Sequence, residues 1–358
     1  MSSGDIVGLQ RYYNEEYAPT NIGSTEETGD RPGSNDKNTL RRYDQIYDAL
    51  SKHINNDVRV LDIGCAMGGF LDYLHARGIN SLSGIDSTPK YINYVKQKVN
   101  YTIKLGSAES IPFPDNSFGL LIMDQVLEHL VEPVRAFKEA KRVLIDEGLF
   151  CISVPDASRY DKTYFFDFFW FLMREHIQHF DIEHVTFLAE NEGFELLDFH
   201  KSKMPMMSEK MILPNLNVIF RLTGRRGEIK VTKKYFSLTK EIKKYVANET
   251  ERLNKRNVVI HGLIESQRLV YAWGIGREFL YLYESAGLKR CAIIGLIDTN
   301  PYKQSNCVLD GKRITDRTTL NKVPVDSVLI ITAIAHTAQI QKTLKETGYS
   351  REVLILDN

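Results

Sequence analysis

Val58-Arg-Val-Leu-Asp62-Ile-Gly64-Cys-Ala66-Met-Gly68-Gly69-Phe70 is the stretch on which the fold of this chain turns. A short apolar run, Val58–Ile63, reads as a buried strand. It enters a glycine-rich turn, and a helix over Phe70–Arg77 follows at once. Gly64 and Gly68 let the backbone approach a ligand where a Cβ would intrude. The next strand candidate, Ser81–Ile85, leads into Gly84-Ile-Asp86-Ser87 about twenty residues further on. A carboxylate there can accept hydrogen bonds from both hydroxyls of a ribose. The glycine turn alone is shared with many tight turns, so the pairing of turn and carboxylate carries the reading.

Strand and helix signals alternate outward from this point. Thr39–His53 has helical spacing at Leu40, Tyr43, Ile46, Tyr47 and Leu50. Pro89–Val99 reads as helix, Leu120–Met123 as strand, Val131–Leu144 as helix and Leu149–Val154 as strand. Strands separated by helices imply parallel crossovers, hence an α/β doubly wound, mostly parallel sheet. A second alternating block begins near Val258. It has strands at Leu269–Trp273, Ala292–Ile297, Ser327–Ala333 and Val353–Leu356, and helices at Arg277–Ser285 and Thr337–Thr347.

The expected division is a flexible arm over 1–37, a ligand-binding domain over 38–210, a basic helical linker over 211–256 and a smaller Rossmann-like domain over 257–358. The arm is rich in Gly, Ser, Thr, Asn and Glu, but Tyr12, Tyr13 and Tyr17 could pin it to something. Gly224–Arg256 carries 11 Lys and Arg against 4 Glu, a balance that reads as a solvated helix face.

At 358 residues and 43% hydrophobic content, the chain has material for about two buried cores. Lys+Arg and Asp+Glu both number 46, so no global field favours nucleic acid or an anionic membrane. Cys65, Cys151, Cys291 and Cys307 are widely separated and form no CxxC pair, which predicts reduced thiols. The start lacks the basic and apolar regions of a signal peptide, and no apolar run approaches the roughly 20 residues that span a bilayer. The expectation is a soluble, cytoplasmic protein with no transmembrane segment and no nucleic-acid partner.

Over residues 55–200 the pattern resembles the class I methyltransferases. It continues as Gly106-Ser107-Ala108-Glu109, then Asp124-Gln125-Val126-Leu-Glu128-His129, then Arg142-Val-Leu-Ile-Asp-Glu-Gly148. The resemblance implies a seven-stranded sheet and S-adenosylmethionine as methyl donor. It assigns Asp62, Gly64, Ala66 and Gly68 to the methionine part of the donor, Asp86 and Ser87 to the ribose, and Ser107, Ala108 and Glu109 to the adenine. Asp124, Gln125 and Val126 form the floor beneath the sulfonium. Acidic and carbonyl groups suit a cationic donor, whereas a pyrophosphate calls for a helix N-terminus. Ala66 stands where the family usually has a glycine, which is tolerable if its φ is negative.

Methyl transfer depends on holding the acceptor in line with the sulfonium, and a neutral hydroxyl also needs a base within reach. Glu128-His129 is one candidate. Related O-methyltransferases with Glu-x-x-Glu-His bind a divalent cation here, but Gln125 replaces the first Glu, so no metal is expected. Arg174-Glu175-His176-Ile-Gln-His179-Phe180 resembles the Glu-His segment of methyltransferases acting on sugars, which makes His176 the leading base and Glu175 its partner. His179 and His184 read as structural. Tyr164-Phe-Phe-Asp-Phe-Phe-Trp-Phe-Leu-Met173 reads as a lid, as an apolar acceptor groove, or as a contact with another domain or a second copy in a homodimer.

Val270-Tyr-Ala-Trp-Gly274-Ile-Gly276-Arg-Glu-Phe279 repeats the strand–Gly-x-Gly–helix logic, with Asp298 closing the following strand. Phe279 replaces the usual third glycine. The stretch over 257–357 is similar to the terminal module of sugar C-methyltransferases and to nucleotide-sugar-modifying enzymes. The resulting expectation is methylation of a sugar-containing small-molecule or glycan acceptor, nucleotide-linked or part of a surface polysaccharide under assembly. The alternatives are O-methylation of an apolar small molecule and a non-catalytic scaffold.

Overall fold

All four residues of β1 (Val60–Ile63) are buried, as expected of a parallel strand covered on both faces. It lies between β2 (Leu82–Asp86) and β4 (Phe118–Asp124), with Val60 opposite Leu82 on one side and Leu120 on the other. The computed structural model describes residues 11–22, 33–97, 101–162, 168–173, 175–206, 211–224, 235–333 and 336–356.

A seven-stranded sheet grows outward from β1. Beyond β2 comes β3 (Thr102–Leu105), and beyond β4 comes β5 (Leu144–Pro155). The remaining two strands are β6 (Phe194–Met206) and β7 (Met211–Leu222), and they reverse the chain order. β7 inserts antiparallel between β5 and β6, giving the order β3-β2-β1-β4-β5-β7-β6. The division expected after residue 210 therefore falls inside this sheet, and 211–222 is its penultimate strand rather than a linker. Pro205 and Pro214 break the alternation of this hairpin, which hides it from a sequence reading.

Helices cover both faces. α2 (Lys37–Leu50), α3 (Gly69–His75) and α4 (Pro89–Lys96) supply Tyr43, Ile46, Phe70, Leu74, Ile92 and Val95 to one core. On the other face, α5 (Pro133–Val143) and α6 (Ile182–Asn191) supply Phe137, Val143, Val185 and Ala189. Ahead of them, a π-turn over Tyr13–Tyr17 runs into the short helix α1 (Ala18–Ile22). This part of the arm is helical and pinned: Ala18 is buried against Ala66, Met67 and Tyr91.

α7 (Tyr235–Ser266) is a 32-residue rod roughly 48 Å long. Its first half packs Leu238 and Tyr245 against Tyr160, Phe171 and Leu213, and its second half packs Ile260 and Leu263 into the other core. The second sheet holds β8 (Leu269–Trp273), β9 (Ala292–Ile297), β10 (Val308–Leu309), β11 (Lys312–Thr315), β12 (Val328–Ile331) and β13 (Glu352–Ile355). Their order is β10-β11-β9-β8-β12-β13, parallel except for β10. Helices α8 (Arg277–Ser285), α9 (Pro301–Asn306) and α10 (Thr337–Glu346) pack on it.

Phe168 and Phe171 are buried, Phe168 in the core of the second sheet and Phe171 in the cluster under α7. Arg277 donates to the Phe168 carbonyl at 2.5 Å and lies over the Trp170 ring. The described end of the aromatic stretch thus joins the two halves of the chain, while its residues 163–167 lie outside the described residues. All four cysteines are free. Among the described residues no helix is long and apolar enough to cross a membrane.

Candidate active site

The turn after β1 places three left-handed residues within five positions, Gly64 (φ 81°), Ala66 (φ 42°) and Gly68 (φ 80°). A Cβ at Gly64 would overlap the Val126 side chain. The negative φ that the sequence reading allows for Ala66 is not what forms: its backbone is left-handed, a conformation that costs roughly 1–2 kcal/mol in a residue with a Cβ. In return, the Ala66 N–H donates to Asp86 Oδ2 at 3.0 Å and its methyl packs beside Ala18 and Tyr91. Asp86 Oδ1 accepts from the Thr88 N–H at 2.8 Å. Burial pushes Asp86 up, and these two amides work against that shift. The Thr88 hydroxyl also bonds to the carboxylate, which keeps lone-pair capacity for a ligand hydroxyl.

Asp62 lies near Asp86 and Asp124, and it is pushed up to about 8, first by burial and then by Asp124 and Asp86, with Arg42 opposing. Asp124 forms a buried ion pair with Arg42 Nε at 3.0 Å. The remaining donor-side residues are arranged less openly. Ser107 bridges to Ser110, Ala108 is part of the core, and Glu109 accepts from the Glu132 N–H at 2.9 Å. Gln125 (φ 55°) turns its amide away, donating to Asn215 Oδ1 at 2.8 Å and Ser153 Oγ at 3.3 Å.

Past Gln125, a 3₁₀ turn over Leu127–His129 carries Glu128 inward to 2% exposure. Neither of its carboxylate oxygens has a hydrogen-bond partner, and burial pushes the group up to about 8. His129 Nδ1 lies 2.8 Å from the Glu175 carbonyl, so it carries the proton and donates. The Tyr13 hydroxyl reaches the same nitrogen at 3.4 Å. His176 stacks edge-on to His129 with ring centroids 5.0 Å apart, and burial lowers it to about 3. The Gln178 N–H donates to the Glu128 carbonyl at 3.0 Å and ties the two segments together.

The structure brings His129 and His176 together. The carboxylate beside them is that of Glu128, whereas Glu175 contributes its backbone carbonyl. Among the described residues the Glu175 side chain makes no hydrogen bond to His176. His179 bonds to the Tyr160 hydroxyl at 3.3 Å and His184 to Asp181 at 2.6 Å, both outside the cluster.

Residues 61–152 match the family model for the methyltransferase domain. Over these residues the chain is similar to that domain, and its seven-stranded, mostly parallel sheet is the fold that the sequence resemblance implies. An uncharacterized methyltransferase of Schizosaccharomyces pombe is 32% identical over 134 residues, covering 32% of this chain and 47% of that protein. A Mycolicibacterium smegmatis protein named as a probable S-adenosylmethionine-dependent methyltransferase is 28% identical over 176 residues, covering 48% of this chain and 66% of its own. The chain thus spans about half the length of the first of these relatives and just under two thirds of the second. A solved S-adenosylmethionine-dependent methyltransferase from Methanosarcina mazei is 20% identical with a TM-score of 0.42, covering 49% of this chain and 97% of that one.

Several residues around the glycine turn and the His129–His176 cluster lie outside any motif. Arg42 comes from α2, whose Asp36 cap is legible as a helix start, but no pattern marks the arginine as a partner for Asp124. Gly33 packs on the glycine turn and accepts from the Gly69 N–H at 2.7 Å. Tyr13 reaches His129 from the arm. In the second sheet, Asp298 repeats the arrangement at Asp86, accepting from the Ile275 and Asn300 N–H groups at 2.9 Å each. Its carboxylate also takes Lys303 Nζ at 2.9 Å, and Phe279 is fully buried. The Asp298 carboxylate is thus already paired with a cation.

Proposed function

We propose that this chain transfers the methyl group of S-adenosylmethionine to a hydroxyl of a sugar-containing acceptor, nucleotide-linked or part of a glycan under assembly. The observation that carries the transfer is the Asp86 carboxylate, held by the Ala66 and Thr88 amides at the end of β2 inside the matched domain. It offers ribose-binding lone pairs beside an acidic pocket suited to a cationic donor. Glu128, His129, His176 and Tyr13 support the hydroxyl acceptor, because a cluster of ionisable groups favours a polar nucleophile over an apolar one. The expected histidine base enters this reading as His176 with Glu128, rather than Glu175, beside it. The burial of Phe168 and Phe171 counts against the apolar alternative, since neither is free to line an acceptor groove.

The test is S-adenosylhomocysteine release by the full chain across a panel of nucleotide-activated sugars, alongside donor binding by calorimetry. Turnover with one sugar, abolished in Asp86→Ala, is the expected result. Donor binding without turnover on any sugar overturns the acceptor class, and no donor binding at all overturns methyl transfer.

A further inference from the structure

We infer that Glu128, His129 and His176 form a binding site for a divalent cation of the zinc class. Three observations carry this. First, two segments 47 positions apart converge: one donor atom from each of the three residues lies within 4.8 Å of the other two. Ligands at roughly 2.1 Å from a tetrahedral zinc sit about 3.4 Å apart, so modest side-chain movement closes the site.

Second, both imidazoles are oriented as metal ligands are. His129 gives its Nδ1 proton to the Glu175 carbonyl and leaves Nε2 3.9 Å from Glu128 Oε1. His176 is held by the backbone at Phe171 through one ring nitrogen, while Nδ1 has no partner. An imidazole anchored by one N–H to a carbonyl presents the opposite lone pair in a fixed direction, the arrangement found behind metal-bound histidines.

Third, Glu128 is a carboxylate at 2% exposure with both oxygens unpartnered. Buried polar groups are normally satisfied, and an isolated buried carboxylate is strongly unfavourable. A cation meeting the carboxylate and both nitrogens satisfies all three residues at once.

Two imidazoles and one carboxylate are the ligand set of open catalytic zinc sites, and they disfavour magnesium, which prefers all-oxygen coordination. Gln125 neither supplies nor blocks a ligand, because Ser153 and Asn215 hold its amide elsewhere. The expectation of no metal rests on Gln125, a position outside this ligand set. His176, far off in sequence, provides the third ligand. In the proposed reaction, on which this purpose but not the binding rests, the open position would hold the acceptor oxygen and ease loss of its proton.

The test uses the full chain stripped with a chelator and titrated with zinc or cobalt ions alone. One equivalent per chain is expected, with a rise in melting temperature. Glu128→Gln and the double variant His129→Ala/His176→Ala should weaken binding by at least about 100-fold, the upper end for loss of an outer-shell partner. Donor binding within about threefold of the parent shows that each variant is folded. Less than half an equivalent in the unaltered chain overturns the proposal whatever the variants do, and so does equal affinity in parent and folded variants. Donor binding without metal binding counts against this site alone. Metal binding without donor binding counts against methyl transfer alone.

Discussion

Asp62 stands among Asp86, Asp124 and Arg42 with its carboxyl held near pH 8 by burial and by its acidic neighbours. At pH 7 the empty site therefore keeps most of its Asp62 population protonated. A cationic donor favours the ionised form, so binding should expel close to one proton at pH 7. Affinity should rise nearly tenfold per pH unit up to about 8 and level off above it. Calorimetry in two buffers of different ionisation enthalpy reads the proton count, and a count of zero would mean that Asp62 does not face the cation. At this scale the places of the motif residues in the fold were legible: Asp62 lies in β1, Gly64 and Gly68 in the turn after it, and Asp86 at the end of β2. Arg42 and Tyr13 were not, since each reaches the site from an element with no motif. Glu175 was misleading because its backbone, rather than its carboxylate, meets the cluster.

Among the elements, α6 begins where Asp181 caps the His184 N–H at 2.9 Å and also bonds to the His184 ring. Burial opposes ionisation of Asp181, but the bonds from His184 outweigh it and hold it below 3.8. The bond from Asp181 in turn raises His184 above 6.5. The histidine's contribution is complete below pH 6.5 and fades as pH climbs through its raised folded value. The aspartate's contribution is complete above 3.8 and fades as pH falls through its depressed one. Asp181→Ala should thus cost about 1 kcal/mol in denaturant melts near pH 5.5, and less near pH 9. A pH-independent cost would mean that the ring contributes nothing. Caps of this kind are readable in sequence, as are central strands with unbroken apolar runs: β8, β9 and α8 form within their expected limits. The β6–β7 hairpin escaped because Pro205 and Pro214 interrupt its alternation, and β3 because only one of its four residues is buried. The arm's helix escaped because its packing partners are Ala66 and Tyr91, distant residues that no local pattern reveals.

For the whole molecule, the joint between the halves is Phe168. It lies in the first half by sequence but in the core of the second sheet by packing. Both Phe168 and Phe169 have φ 55°, a strained pair that the burial of Phe168 offsets. Phe168→Ala should destabilise the second unit by roughly 3–5 kcal/mol. Hydrogen exchange should accelerate over Leu269–Ile355 while the amides of Val60–Ile63 and Phe118–Asp124 keep their protection. Equal acceleration in both sheets would mean that the chain unfolds as one unit.

The position of β7 sets an order of events on the ribosome. Among the described residues β6 pairs with β7 alone, which arrives later, so β6 emerges against earlier helices but with no strand to pair with. Phe168 waits longer still, since its pocket is built from strands that run to Ile355. Until the residues from Ile260 to Leu356 have been made, the nascent seven-stranded sheet carries an aromatic side chain whose cover is incomplete.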